Sequence, residues 1–161
     1  MTVRTLVLLR HAKAGHPHGI GDSERPLTPR GHADAGAAGA WLAKHGLRPD
    51  LVLCSPARRT RETWHGVRVA IGTDPDVRFE RRLYDSGASD VLELVAGTAT
   101  DIETVVVIGH NPTLSMVSMS LDPDAGDSEG LRTAGIAVHT FRGAWRDLAA
   151  APLTASHTAR A

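Results

Sequence analysis

Thr5-Leu6-Val7-Leu8-Leu9-Arg10-His11 and, far along the chain, Thr104-Val105-Val106-Val107-Ile108-Gly109-His110 decide the reading of the fold. Each is a short continuous run of apolar β-formers with a histidine two residues after its last member. A strand with one wet face alternates apolar and polar residues. An unbroken run implies burial on both faces, as in the parallel sheet of an α/β protein. Asp50-Leu51-Val52-Leu53-Cys54 is a third run of this kind, and Ser55-Pro56 comes directly after it. Val77-Arg78-Phe79 and the segment from Gly135 to Phe141 are weaker strands, the second alternating as a strand nearer an edge does.

Between these runs lie helical patterns with starts and stops. Thr28-Pro29 reads as N-cap and N1 of a helix that carries Ala38, Trp41 and Leu42 on one face and stops at Gly46. Ser55-Pro56 repeats the cap logic before a helix from Ala57 to Ala70, and Asn111-Pro112 before one from Thr113 to Met119. Ser89 to Ala96 forms a shorter helix. Strands alternating with helices predict right-handed crossovers and a three-layer α/β/α sandwich with a mostly parallel central sheet. Three stretches read as irregular: Gly15 to Arg25, the acidic Asp122 to Gly130, and the small, polar tail, which is expected to be flexible over residues 151–161.

The 161 residues suit one domain, taken as residues 1–150. Hydrophobic residues at 42% and charged residues at 22% exclude a disordered, collagen-like or coiled-coil chain. Eighteen Lys and Arg balance eighteen Asp and Glu, so no global field points to nucleic acid or an acidic membrane, and any anion site must be local. Cys54 is the single cysteine, which rules out an internal disulfide and reads as a small buried residue in a reducing compartment. Apolar runs stop far short of the roughly 20 residues of a membrane helix, and Arg10 interrupts the first one before a signal peptide could form. A cytoplasmic protein is expected, of open oligomeric state.

The chemistry sits where the strands end. Arg10-His11, Ser55-Pro-Ala-Arg58-Arg59 and Gly109-His110-Asn-Pro each come after a strand, and the carboxyl ends of the strands form the ligand crevice of an open α/β sheet. Arg58, Arg59 and Arg61 crowd the start of a helix, where the dipole disfavours cations by some 0.3–1 kcal/mol each. A bound anion explains that exception, since free N–H groups, the dipole and guanidinium forks all favour phosphate. Arg61 and Arg68 read instead as a solvated face. A lone histidine after a strand is usually structural. Here a second strand-end histidine and the adjacent Arg10 favour chemistry, and neutral imidazole is a competent nucleophile at phosphorus, with a pKa of about 6.5. Metal ligation by His11, His16 and His18 is disfavoured by the neighbouring Arg10 and Lys13, so neither metal nor cofactor is expected.

Leu-Leu-Arg10-His11, Ser55-x-x-x-Arg59-x-x-x-Thr63 and Gly109-His110-Asn-Pro together resemble the three signatures of the histidine phosphatase (phosphoglycerate mutase-like) superfamily, spanning residues 4 to about 119. Glu24-Arg25-Pro26-Leu27-Thr28-x-x-Gly31 resembles the small SixA-type phosphohistidine phosphatases. The resemblance implies that His11 is the phosphorylated nucleophile. It also implies that Arg10, Arg59 and His110 hold the phosphoryl oxygens and that Arg25 reaches the same pocket from its loop. The implied activity is metal-independent hydrolysis of a phosphohistidine on a protein or of a small phosphorylated metabolite. Two alternatives stay open, a non-catalytic phospho-group binding module and a mutase-like phosphotransferase. Where the family has Gly and often Glu after the nucleophile, this chain has Ala12 and Lys13, and Lys13 reads either as a substrate contact or as a surface lysine. The family's acid motif has no clear match, leaving Glu80 and Asp85 as the nearby acids to nominate.

Overall fold

A computed structural model describes residues 1–125 and 129–161. Strand β1 (Val3–Arg10) leads through a loop with a 3-10 turn at Asp22–Glu24 to helix α1 (Pro29–Lys44), then β2 (Leu51–Cys54), α2 (Arg58–Ile71) and β3 (Asp76–Phe79). Two helices come next, α3 (Arg82–Asp85) and α4 (Ala88–Ala96), then β4 (Thr104–Gly109), α5 (Thr113–Leu121), β5 (Gly135–Arg142) and β6 (Leu153–Thr158). The sheet order is β3-β2-β4-β1-β5-β6. Its first four strands are mutually parallel, and at the other edge β5 runs antiparallel to β1 and β6 antiparallel to β5.

The continuous apolar runs behave as their composition demands. Val7 and Leu9 of β1 pack with Val52, Val106 and Ile108 under α1 and α2, while Leu6 and Leu8 pack with Val105 and Val107 under α4 and α5. All of these side chains are fully buried, so alternate residues of one strand serve two cores. Register matters more for function. Leu9 and Cys54 both pair with Ile108, and Arg10 pairs with Gly109. The three parallel strands therefore end at one level, and the residues after them emerge side by side.

Two cap expectations shift by small distances with large consequences. Thr28 caps α1 as expected, its Oγ1 accepting from Gly31 N at 3.0 Å. Helix α2 instead starts at Arg58 behind Ala57, so the Ser55 side chain lies outside the helix and is available to another partner. Asn111 lies one residue before the Pro112 cap of α5, yet its Oδ1 still accepts from Ser115 N at 3.2 Å.

The expected flexible tail is corrected. Leu153–Thr158 forms the edge strand β6, antiparallel to β5. A buried anchor holds the last residues: the Asp34 carboxylate on α1 accepts from Ala161 N at 2.9 Å and lies 3.5 Å from Arg160 Nη1. An edge strand with one Leu among Ala, Ser, Thr and His lacks a strong apolar pattern, and the distant anchor leaves no local signature. The irregular stretch expected from Asp122 to Gly130 lies partly outside the described residues, at 126–128. Among the described residues, no helix is long and apolar enough to cross a membrane.

Helices α1 and α2 meet at glycines. A methyl group on Gly39 would lie 2.6 Å from the Val67 carbonyl oxygen and 2.7 Å from the Ala70 Cβ, whereas one on Gly36, on the same helix, would meet nothing within 4 Å. Gly39→Ala is expected to destabilise the protein by about 1–2 kcal/mol, overpacking outweighing helix propensity. Gly36→Ala should stabilise it by about 0.5–1 kcal/mol. Urea titration of both variants tests this close approach, and equal shifts of the same sign would contradict it.

Candidate active site

His11 leaves the end of β1 with its backbone N–H bonded to Gly109 O at 3.1 Å, which fixes it against the end of β4. Its ring is almost buried, and Nδ1 lies 2.8 Å from Ala12 O. A carbonyl can only accept, so we assign the proton to Nδ1, which leaves the lone pair on Nε2. The next residue is held as firmly. Ala12 N donates to Thr63 Oγ1 at 3.0 Å, and that hydroxyl donates to Arg59 O at 2.7 Å. Arg59 and Thr63 are four residues apart and share one face of α2, which gives the Arg-x-x-x-Thr spacing its physical meaning.

His110 comes directly after β4, its ring centroid 5.3 Å from that of His11. Its Nε2 lies 2.8 Å from Ser55 Oγ. Ser55 Oγ already accepts from Ala57 N at 3.3 Å, so we assign its own proton to the bond with His110 Nε2, which places the ring proton on Nδ1. Arg10 donates through Nη1 to Leu131 O at 3.1 Å, and Arg59 donates through Nη1 and Nη2 to Asp22 O and Oδ2 at 2.8 and 3.1 Å. Among the described residues, the buried side-chain nitrogens with no hydrogen-bond partner are Arg10 Nε, Arg59 Nε and His110 Nδ1. Such groups cost about 1–3 kcal/mol each when left unmade. All three belong to residues close enough to His11 to act on its charge.

The same charges tune the histidines. Burial, with the positive potentials of His110, Arg59 and Arg10, pushes His11 down to about 3, against the opposing pull of its bond to Ala12. Burial, then Arg59, pushes His110 down to about 4, with Asp22 opposing. Both rings are therefore neutral in the free protein near pH 7. Cys54 stands beside Ser55, but burial pushes its thiol up to about 12, so it is no nucleophile.

Arg25 comes to the site through an intermediary. It donates to Gly15 O through Nε at 3.0 Å, to Asp22 Oδ1 through Nη1 at 3.2 Å and to His16 Nε2 through Nη2 at 2.9 Å. Lys13 is exposed, while its carbonyl accepts from Thr28 N at 2.9 Å. A methyl group at Gly31 would overlap that carbonyl, which explains the Thr-x-x-Gly spacing. Asp85 pairs with Arg81 at 3.3 Å, and Glu80 lines a separate cleft with Arg78 and Arg82. From that segment Tyr84 reaches the site instead, its ring edge against His110 at 5.6 Å and its hydroxyl donating to Asp22 Oδ2 at 2.7 Å. The parts played by Asp22, Tyr84 and the Ser55–His110 bond carry no signal in the sequence, because each depends on a loop or short helix folding onto a distant strand end. Among the described residues, no group of three or more His, Cys, Asp or Glu is placed to hold a metal ion.

Comparison with known proteins shows the family and the fold. The sequence model of the histidine phosphatase superfamily (branch 1) matches residues 6–94. An uncharacterised protein of Mycobacterium tuberculosis is 38% identical over 148 residues, covering 87% of this chain and 91% of that protein. A candidate phosphohistidine phosphatase SixA from Nakamurella multipartitia superposes with a TM-score of 0.88 at 38% identity, covering 100% of this chain and 99% of that one. Another such candidate, from Agrobacterium tumefaciens, superposes with a TM-score of 0.84 at 29% identity, covering 96% and 97%.

The electrostatics predict a titration. In the ligand-free protein, nitrogen-15 NMR should show His11 and His110 neutral down to about pH 5, with His11 protonated on Nδ1. Because each folded pKa lies below the unfolded value of about 6.5, the unfolded chain binds more protons below that pH. Stability is then fully present above about pH 6.5 and is lost as pH falls toward the folded values of about 4 and 3. A midpoint between pH 6 and 7 for either ring would contradict these assignments.

Proposed function

Starting from the fact that this chain belongs to the histidine phosphatase superfamily, we propose that it hydrolyses protein phosphohistidine or a small phosphoester through a phosphohistidine formed at His11. The observation that carries this reading is the set of three unpartnered buried donors, Arg10 Nε, Arg59 Nε and His110 Nδ1, around a neutral imidazole. Phosphoryl transfer needs little from a protein beyond in-line placement and donors for the equatorial oxygens.

In the first step the His11 Nε2 lone pair forms a bond to phosphorus as the bond to the leaving group breaks. The imidazole needs no deprotonation, since its other nitrogen keeps the proton donated to Ala12 O. In the second step water attacks the phosphohistidine, the N–P bond breaks, and the electron pair returns to Nε2 with release of phosphate. Arg10, Arg59 and His110 hold the same three oxygens throughout. The cytosol suits such an enzyme, with one buried thiol and no disulfide to protect.

The leaving group sets the substrate class. Among the described residues, Asp22 is the carboxylate that acts on His110, and bonds from Tyr84, Arg25 and Arg59 hold it well below the usual carboxylate range, so it has no proton to give near neutrality. An imidazole with a pKa near 6.5 can depart protonated, whereas an alkoxide needs a donor. Phosphohistidine and activated aryl phosphates are therefore favoured over alkyl phosphates.

Tungstate binding, variant kinetics and a leaving-group series test the proposal. His11→Ala should abolish turnover of an aryl phosphate while tungstate still binds. Arg59→Lys should lose about 100-fold in kcat/KM, or about 2.7 kcal/mol, because an ammonium cannot reproduce the fork. Tungstate binding by a wild-type protein with no turnover would favour the binding module. Across a leaving-group series, rates should fall steeply with rising pKa, and Glu80→Gln and Asp85→Asn should each stay within about tenfold of wild type, or 1.4 kcal/mol. A flat series that steepens in either variant would identify that residue as an acid.

A further inference from the structure

Asp22 gathers several side chains of the site around one carboxylate. Its Oδ2 accepts from Arg59 Nη2 and from the Tyr84 hydroxyl, its Oδ1 from Arg25 Nη1, and its backbone oxygen from Arg59 Nη1. A carboxylate next to an anion site repels the ligand, so its presence there calls for a compensating role. The pattern at Arg59 supplies one. Both terminal nitrogens of the guanidinium are gripped from the same side by one residue, while Nε is buried and unpartnered. A planar fork held by both terminal nitrogens in this way is fixed in direction, and its Nε is left without a partner among the described residues.

Resting on the phosphoryl-site reading above, we propose that Asp22 is a positioning residue for phosphoryl transfer. It locks the Arg59 guanidinium with the Nε edge turned to the phosphoryl group and draws Tyr84 against His110. The ordering of a long, flexible side chain is then complete before the ligand arrives. The rival possibility makes Asp22 a stand-in anion that the substrate must displace from Arg59. Two observations oppose it. Arg59 Nε is not taken by Asp22, and the Asp22 side chain is 54% exposed, at the rim, while the Arg59 side chain is 8% exposed.

The experiment measures tungstate affinity by calorimetry and aryl phosphate kinetics for wild type, Asp22→Asn, Arg59→Lys and the double variant. The Arg59 side-chain signals are monitored by NMR. Asp22→Asn should lose about tenfold in tungstate affinity and in kcat/KM. The double variant should lose less than the product of the single losses. The Arg59 Nη resonances, separate in wild type because rotation of the fork is blocked, should merge in Asp22→Asn. Tyr84→Phe, which removes one of the bonds to Asp22, should show a smaller loss in the same direction and covers the case of an Asp22 variant that does not fold.

Tighter tungstate binding by Asp22→Asn would overturn the proposal in favour of the stand-in anion. Unchanged binding, or fully multiplicative losses, would overturn it alone. A wild-type protein that binds no tungstate would overturn the phosphoryl-site reading, and this inference with it.

Discussion

The structure is organised around buried positive charge and unmade hydrogen bonds at the carboxyl end of a parallel sheet. Arg10, Arg59 and His110 converge there with three nitrogens that no group among the described residues satisfies. Such an arrangement is unfavourable in itself. It persists because β1, β2 and β4 are held in one register by two apolar cores, one on each face, so the strand ends cannot separate to relieve the strain. The close approach of α1 and α2 at Gly39 adds to the same rigidity, since α2 carries Arg59.

The neutral state of His11 is a consequence of that constraint. A histidine placed among cations and away from water stays neutral, and a neutral imidazole with one nitrogen pinned to a carbonyl presents the other as a directed lone pair. The protonation state and tautomer are therefore set by the surroundings of the ring. His110 is neutral for the same reason, which lets it donate from Nδ1 without adding a third full charge beside Arg10 and Arg59. Asp22 offsets part of the remaining charge at the rim.

Much of this is legible in the sequence because it is written in local patterns. The double-faced strands announce themselves as unbroken apolar runs, and the residues after them, Arg10, His11, Arg59 and His110, stand at the sheet's carboxyl end as the fold class requires. Thr63 and Gly31 also have local spacing, and the structure adds the contacts that the spacing serves. Features that depend on distant partners are not legible in this way. The edge strand β6 has no strong alternation, and the residues after it are held by Asp34, far away in the chain. Ser55 reads as a helix cap because Ser-Pro usually is one, yet the helix starts three residues later and the hydroxyl serves His110. Asp22 lies in a polar loop with no periodicity, and only the folding of that loop onto α2 and α3 shows what it holds.

The central claim is that His11 Nε2 takes the phosphoryl group. The most direct test is rapid quench of the wild-type protein with a phosphorus-32-labelled aryl phosphate, then acid and base treatment and peptide mapping. A transient adduct on His11 is expected, labile in acid and stable in base. Label on a serine, or turnover with no label captured within the first catalytic cycle, would contradict the claim.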